Sequence, residues 1–271
     1  MKIVTLSEIN IHEIVDCLIE SFQNYFVPMP ADISYWENRF NNARVSWGLS
    51  AGVVDEGKLV AFLIHAVDTD AGMMTAFNTG TGVIPDYRGQ KLVDKMYDFI
   101  IPELRKAGVK KAKLEVIDEN VKAVRVYERI GMRCTKYLKS YGLNLKSYQA
   151  NDRAIQVGLD EIEQYANDFY YSWDNTFKTL KIAEQHYQCY VLKDESGNET
   201  IGYYVINSEI GYVAQLDSFN KSWGLLFSSI AKLCPQIKMV NIDAARYQLI
   251  SYLEDREAAN VINQFEMEMQ I

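Results

Sequence analysis

The stretch that decides the reading is Val83-Ile84-Pro85-Asp86-Tyr87-Arg88-Gly89-Gln90-Lys91-Leu92-Val93. A strand-like run, Met73 to Ile84, stops at Pro85, whose nitrogen has no hydrogen to give a ladder. After a basic turn, Leu92, Val93, Met96, Ile100 and Leu104 recur at helical spacing, which predicts a helix from Gln90 to about Lys106 with Pro102 near its end. The segment therefore reads as strand, tight turn, helix start. The free N–H groups and the dipole of a helix start form an anion site. Gly89 permits a tight turn and close backbone approach, and Arg88 and Lys91 bring fixed positive charge to the same place. A diphosphate suits this arrangement; an ordinary strand-to-helix turn with surface bases would use the same residue types.

Downstream, Gly108 stops the helix, and Lys111 to Ile117 alternates as a strand containing Leu114-Glu115-Val116. Asn120 caps a further helix that ends at Gly131, and Met132 to Leu143 supplies the last strands. Asn120, Ala123 and Tyr127 lie on one face of that helix. A small residue between an amide and a phenol leaves room for a ligand along the helix, although a packed helix with a core tyrosine has the same spacing. Upstream, Lys2 to Leu6 reads as a strand, and Ser7 with Glu8 as the cap of a helix to about Phe22. Pro28 and Pro30 break the chain before an amphipathic piece, Ile33 to Phe40. The strand-like runs Trp47 to Val54 and Lys58 to Val67 flank the turn Asp55-Glu56-Gly57.

Val83-x-Pro85-x-x-Arg88-Gly89-x-x-Leu92 resembles the acyl-CoA signature of the GNAT superfamily, and Asn120-x-x-Ala123-x-x-x-Tyr127 is similar to its second motif. The resemblance covers about residues 1–145 and implies an α/β (α+β) GNAT fold, a mixed, mostly antiparallel central sheet flanked by helices. It also implies acetyl-CoA as co-substrate, with Val83, Ile84, Arg88, Gly89, Gln90, Lys91, Leu92, Val93 and Asn120 as its binding residues. The family carries small residues at the positions of Lys91 and Val93, and this sequence departs from it there. The implied reaction is direct transfer to a primary amine, with the backbone N–H of Val83 or Ile84 at the oxyanion and Tyr127 as general acid. Glu115 is the implied base, in a setting similar to that of ribosomal-protein N-terminal acetyltransferases; His65 and Asp118 stand behind it. A strand carboxylate paired with Lys111 or Lys113 is the plain alternative for Glu115. Nothing suggests a nucleophilic Cys or Ser triad.

The second half repeats the order of helix, three strands, helix, strand, helix, strand, with Leu159 to Tyr171 as its first helix and Val261 to Met269 as its last strand. Two tandem domains are expected, 1–145 catalytic and 150–271 GNAT-like but degenerate, joined near Lys146 to Asp152. Where a cradle would fall, the second has Asp217-Ser218-Phe219-Asn220-Lys221, and it offers Tyr247 without the Asn-x-x-Ala-x-x-x-Tyr pattern, so it is expected not to bind CoA. Its run Phe169-Tyr170-Tyr171-x-Trp173 suits either packing or a substrate cleft.

Residues 1–145 hold 18 Lys+Arg and 18 Asp+Glu, residues 146–271 hold 10 and 18, so the net charge of −8 falls in the second half. That balance argues against nucleic acid and favours a cationic acceptor, though a solvated acidic surface has the same composition. No run approaches the ~20 apolar residues of a membrane span, and Met1 to Glu8 has no secretory pattern. Cys17, Cys134, Cys189 and Cys234 are scattered, which suits a cytoplasmic protein with neither disulfides nor metal. The acceptor is expected to be a small cationic metabolite or a peptide or protein amine, and the chain a monomer or homodimer. A non-catalytic acyl-CoA sensor is the alternative. Another nucleotide-binding α/β enzyme would need a glycine-rich phosphate loop, and Gly80-x-Gly82 precedes the turn instead of forming it.

Overall fold

The computed structural model describes residues 1–271 apart from Asn24, Tyr25 and Val27. The chain forms two compact units, Met1–Thr135 with Phe265–Ile271, and Lys136–Gln264. The division falls inside a strand, and the polar stretch 146–152 lies within the second unit.

The first unit contains β1 (Lys2–Thr5), α1 (Ile11–Ser21), α2 (Ile33–Ala43), β2 (Ala51–Asp55), β3 (Lys58–Asp70), β4 (Met73–Val83), α3 (Leu92–Lys106), β5 (Lys111–Ile117) and α4 (Val121–Arg129). Its sheet runs β1-β2-β3-β4-β5, followed by the C-terminal end of β12 (Ala259–Gln270). Strands β1 to β4 are antiparallel; β4 and β5 are parallel, paired only over Thr75–Asn78 and Lys111–Leu114. Val60 to Ile64 of β3 are all fully buried, because helices cover both faces and an unbroken apolar run is then favoured. Helix α1 starts later than the Ser7 cap implied. Ser7 sits in a short 3₁₀ turn and bonds Thr5 (2.8 Å), while Asn10 Oδ1 accepts from the N–H of His12 (2.8 Å) and caps α1.

One irregularity positions everything that follows. Ile64 faces Gly80 but His65 faces Asn78, so Thr79 is an extra residue in β4, a β-bulge. Beyond Asn78, β4 and β5 no longer pair, and the sheet opens there.

The second unit takes in most of β6 (Arg133–Asn144), then β7 (Ala154–Val157), α5 (Leu159–Glu163), α6 (Phe177–Ile182), β8 (Gln188–Lys193), β9 (Thr200–Asn207), β10 (Tyr212–Ser218), α7 (Trp223–Ile230), β11 (Gln236–Asp243) and α8 (Tyr247–Asp255). Its strand order is β6-β11-β10-β9-β8-β7. In place of one helix from Leu159 to Tyr171 there is the short α5 and then a 3₁₀ turn, Asp168–Tyr170. Side chains compete with the helix there: Asn167 accepts from the N–H of Phe169 (3.2 Å) and Asp168 from that of Phe177 (2.8 Å). The bulge recurs. Val213 faces Ile206 and Gln215 faces Val205, so Ala214 is extra in β10, and β10 pairs in parallel with β11 only at Tyr212 and Lys238.

Candidate active site

The opening beside β4 presents backbone. The N–H of Ile84 donates to Val60 O (3.0 Å), which fixes the phase of the β3–β4 ladder. In an antiparallel ladder the peptide groups alternate sides, so Thr81 and Val83 turn theirs away from β3, toward the side that β5 has left. Of the two amides offered for an oxyanion, that of Ile84 is therefore spent inside the sheet, and that of Val83 faces the opening.

The turn after β4 has the backbone that its glycine suggested. Gly89 has φ +79°, and a Cβ there would meet nothing within 4 Å, so the glycine serves conformation rather than space. Lys91 is also left-handed, at φ +56°, a position that costs a side-chain-bearing residue ~1–2 kcal/mol. It is the N-cap of α3 and makes no side-chain cap, so the first-turn amides of Leu92 and Val93 are left for an anion, that of Asp94 being met by its own carboxylate. Two left-handed residues so close together give the concave run of N–H groups that suits phosphate. Gln90, Lys91 and Arg88 are exposed around it. Arg88 is nonetheless anchored: Nε donates to Val83 O (3.1 Å) and Nη2 to Ser21 O (2.9 Å), bracing the turn against the end of α1. Asp94 is drawn aside by Arg129, at 2.6 and 2.7 Å, and that guanidinium holds its carboxyl below the usual range.

Along the other wall, Asn120 Oδ1 accepts from the N–H of Ala123 (3.3 Å) and caps α4. Ala123, Val124, Tyr127 and Ile130 pack on the core, yet no residue of α4 is fully buried. An apolar helix face half-covered by its own domain has room beside it for something else. Beneath lies Tyr97, fully buried, whose hydroxyl accepts from Asn78 Nδ2 (3.0 Å). Burial drives its pKa well up, with the nearby Tyr127 adding to the shift. His65 stands edge-on to Tyr97 at 5.9 Å with Nδ1 against Leu49 O (2.9 Å). Burial pushes its pKa down to about 4, so it is a neutral core histidine sealed from an acceptor.

Glu115 is half-buried on β5 and shares its face with Lys111 and Lys113. These lysines have other partners: Lys111 pairs with Asp70 (3.1 Å) and Glu268 (3.0 Å), Lys113 with Asp70 (3.4 Å) and Glu266 (2.8 Å). Burial opposes the charge of Lys113, but Glu266 and Asp70 outweigh it and raise its pKa; Glu115 acts in the same direction. Glu266 and Glu268 were not anticipated. Their signal is an acidic-apolar alternation, Glu266-Met267-Glu268-Met269, that complements Lys111-Ala112-Lys113 on a neighbouring strand.

The second unit treats its opening differently. Phe219 N–H donates to Ile201 O (2.9 Å), as Ile84 does to Val60, so Leu216 and Ser218 face the opening. There Leu216 O already accepts from Arg246 Nη2 (2.6 Å) and Tyr171 Oη (3.0 Å). Tyr171 and Trp173 are buried and Phe169 is exposed.

A bulged strand that parts from its neighbour and ends in a left-handed turn and an uncapped helix is the frame of a GNAT-type N-acyltransferase. Residues 11–132 match the family model described as the acetyltransferase (GNAT) family. Over 118 residues, 43% of this chain and 77% of the relative, the sequence is 31% identical to the [ribosomal protein bS18]-alanine N-acetyltransferase of Escherichia coli strain K12. The chain belongs to the GNAT acetyltransferase family, and it is an N-acetyltransferase. In fold, it is similar over 99% of its length to 98% of a tandem GNAT protein from the clavulanic acid biosynthesis pathway (TM-score 0.67, 12% identity). It is similar over 95% to 91% of a GCN5-related N-acetyltransferase from Sphaerobacter thermophilus (TM-score 0.65, 13% identity). Among the described residues, no helix is long and apolar enough to cross a membrane.

Proposed function

We propose that the first unit transfers an acetyl group from acetyl-CoA to the α-amine of a peptide or protein, and that the second unit neither binds CoA nor takes part in the chemistry. The observation that carries this is the continuous polar path formed by the open edge of Thr81 and Val83 running into the uncapped start of α3. GNAT enzymes use acetyl-CoA as co-substrate, and the residues here fit it. The left-handed turn at Gly89 and Lys91, with the α3 amides, suits a diphosphate, and the open strand edge suits an amide-bearing arm. Asn120 and Ala123 line the wall along which such an arm would lie.

Acetyl-CoA would supply the acetyl group as a thioester. Glu115 takes a proton from the acceptor ammonium, directly or through water, so that the nitrogen can attack. The Val83 N–H steadies the carbonyl oxygen as charge develops, an effect of a few kcal/mol in such sites. Tyr127 returns a proton to the leaving sulfur; an ordinary tyrosine titrates near ~10 and so carries its proton at neutral pH.

The relative from Escherichia coli acts on an alanine of ribosomal protein bS18. An alanine side chain has no nitrogen, so its N-acetylation requires a free α-amino group, and this supports a peptide α-amine over a lysine or a small metabolite as acceptor. The sensor reading rests on Lys91 and Val93 standing where the family has small residues. Following thiol release from acetyl-CoA with peptides of varied N-terminus, polyamines and aminoglycosides separates the two. Release driven by α-amines and lowered by Glu115→Gln supports the transferase; CoA binding with no release on any acceptor supports the sensor.

A further inference from the structure

We infer that Asn78 and Tyr97 are positioning residues for acetyl transfer: their side chains brace the open edge of β4 and hold the aim of the Val83 N–H, a role that rests on the oxyanion reading of that N–H. The edge needs a brace. From the bulge to its end β4 reads Thr79-Gly80-Thr81-Gly82-Val83, with glycine at every second residue. Glycine weakens a strand, because it gives up the most conformational freedom on folding and packs nothing of its own. At Gly82 it is imposed by space, since a Cβ there would lie 2.5 Å from the Phe62 ring. Beyond Asn78 the strand has also lost β5 on its other side.

Asn78 supplies the missing restraint. It is the last residue of β4 paired with β5, and it is buried. Its Oδ1 accepts from the N–H of Gly80 (3.1 Å), closing an Asx turn across the extra Thr79. Its Nδ2 donates to Thr81 Oγ1 (2.7 Å) and to Tyr97 Oη (3.0 Å). Tyr97 belongs to α3 and is itself packed in the core, with the His65 ring edge-on to it. The amide is therefore held from below by the phenol and in turn holds the first two residues after the bulge. One helix anchors both ends of the polar path, the diphosphate turn through its first amides and the strand edge through Tyr97.

The second unit shows that the fold does not require these polar groups. Its bulge at Ala214 forms with Val213 where the first unit has Asn78, and with Ile206 where the first has His65. Six residues after the left-handed Lys221 stands Phe227, as Tyr97 stands six after the left-handed Lys91, and both rings are fully buried. Apolar side chains thus pack the same bulge. Burying polar groups in their place costs stability unless each is paired, and a paired network returns that cost as rigidity. The amide and the phenol occur in the unit whose strand edge is left open, where rigidity of that edge has a use.

The test follows thiol release from acetyl-CoA with peptides of varied N-terminus, and CoA affinity by calorimetry, on the full chain. Asn78→Val combined with Tyr97→Phe copies the apolar residues of the second unit, so the fold is expected to stand. Turnover is expected to fall roughly tenfold or more while CoA affinity stays within about twofold, because a small misplacement at the reacting centre costs rate and the diphosphate turn is untouched. Tyr97→Phe alone gives part of this loss and adds nothing to Asn78→Val, since it acts through the amide. A role in packing alone would move the urea midpoint and leave kcat of the folded chain within about twofold, and that result overturns the positioning role. So does a loss of CoA affinity that matches the fall in turnover, or a Tyr97→Phe effect as large in Asn78→Val as by itself. Should the double variant fail to fold, Tyr97→Phe decides, and an unchanged kcat there overturns the role. No thiol release by the unaltered chain on any acceptor would overturn acetyl transfer itself, and this role with it.

Discussion

Thr79 of β4 and Ala214 of β10 are the same extra residue in two versions of one strand pair, and the peptide groups just beyond them are treated in opposite ways. In the second unit, the Leu216 carbonyl is capped by Arg246 and Tyr171, and α8 closes down with Leu249, Ile250 and Leu253 buried. In the first, Arg88 holds the Val83 carbonyl, while the Val83 N–H and the Thr81 peptide face an opening whose wall, α4, buries no residue. Both turns pass through a left-handed lysine into a helix without a side-chain cap; they differ in the left-handed Gly89 of the first and in Asp217, which the second carries at the position of Gly82. A chain that needs only to be stable satisfies its backbone with its own side chains. A chain that holds a cofactor leaves that satisfaction to the ligand, and the incomplete core is the mark of it.

The largest effect by which this contrast can be broken is catalytic. Tyr127→Phe lowers kcat by ~10²–10⁴ while CoA still binds; Tyr171→Phe, the phenol of the second opening, leaves kcat unchanged and lowers stability by ~1–2 kcal/mol. Thiol-release kinetics and urea unfolding read the two, and a kcat loss in Tyr171→Phe would erase the distinction.

Next in size is the plug itself. Arg246→Met removes one of the two donors to Leu216 O and the ion-pair partner of the part-exposed Asp217, and is expected to destabilise the chain by ~1–3 kcal/mol in urea titration. An unchanged midpoint would mean that the second opening is not held shut by this side chain.

One pH effect arises at the bulge of the first unit, where His65 stands and the second unit has Ile206. The unfolded chain takes up a proton as pH falls through 6.5, while the buried ring refuses it until about 4, so stability drops across that window as pH is lowered. At ~1.4 kcal/mol per pH unit the loss approaches ~3 kcal/mol. His65→Gln flattens this part of the stability–pH curve; an unchanged slope would contradict a neutral buried ring.

The smallest effect is the most discriminating. Lys91 and Lys221 are both left-handed, at φ +56° and +64°, each just before a helix. Replacing either by glycine relieves ~1 kcal/mol of backbone strain. Only Lys91→Gly changes affinity for CoA, because only that turn frames a diphosphate.

Much of this frame was legible in the sequence. Proline, glycine and alternation place β4 and β5 with little error, since those signals act within a few residues. Local competition was harder to read. Asn10 out-competes Ser7 as the cap of α1, and Asn167 and Asp168 dissolve a helix whose apolar spacing is real. Pairing between distant segments left no local trace at all. Nothing near Lys111 or Lys113 announces Glu266 and Glu268, and Ile84 looks as free as Val83 until the ladder's phase is known. The bulges are invisible for the same reason, since one extra residue in a strand is defined only against its partner.

The account turns on one count, the number of CoA molecules bound per chain, measured by calorimetry on the full protein and on Gly89→Val. It predicts a single site that Gly89→Val abolishes, because a β-branched residue cannot hold the φ of +79° the turn requires. Two sites per chain, or one that survives the substitution, would contradict it.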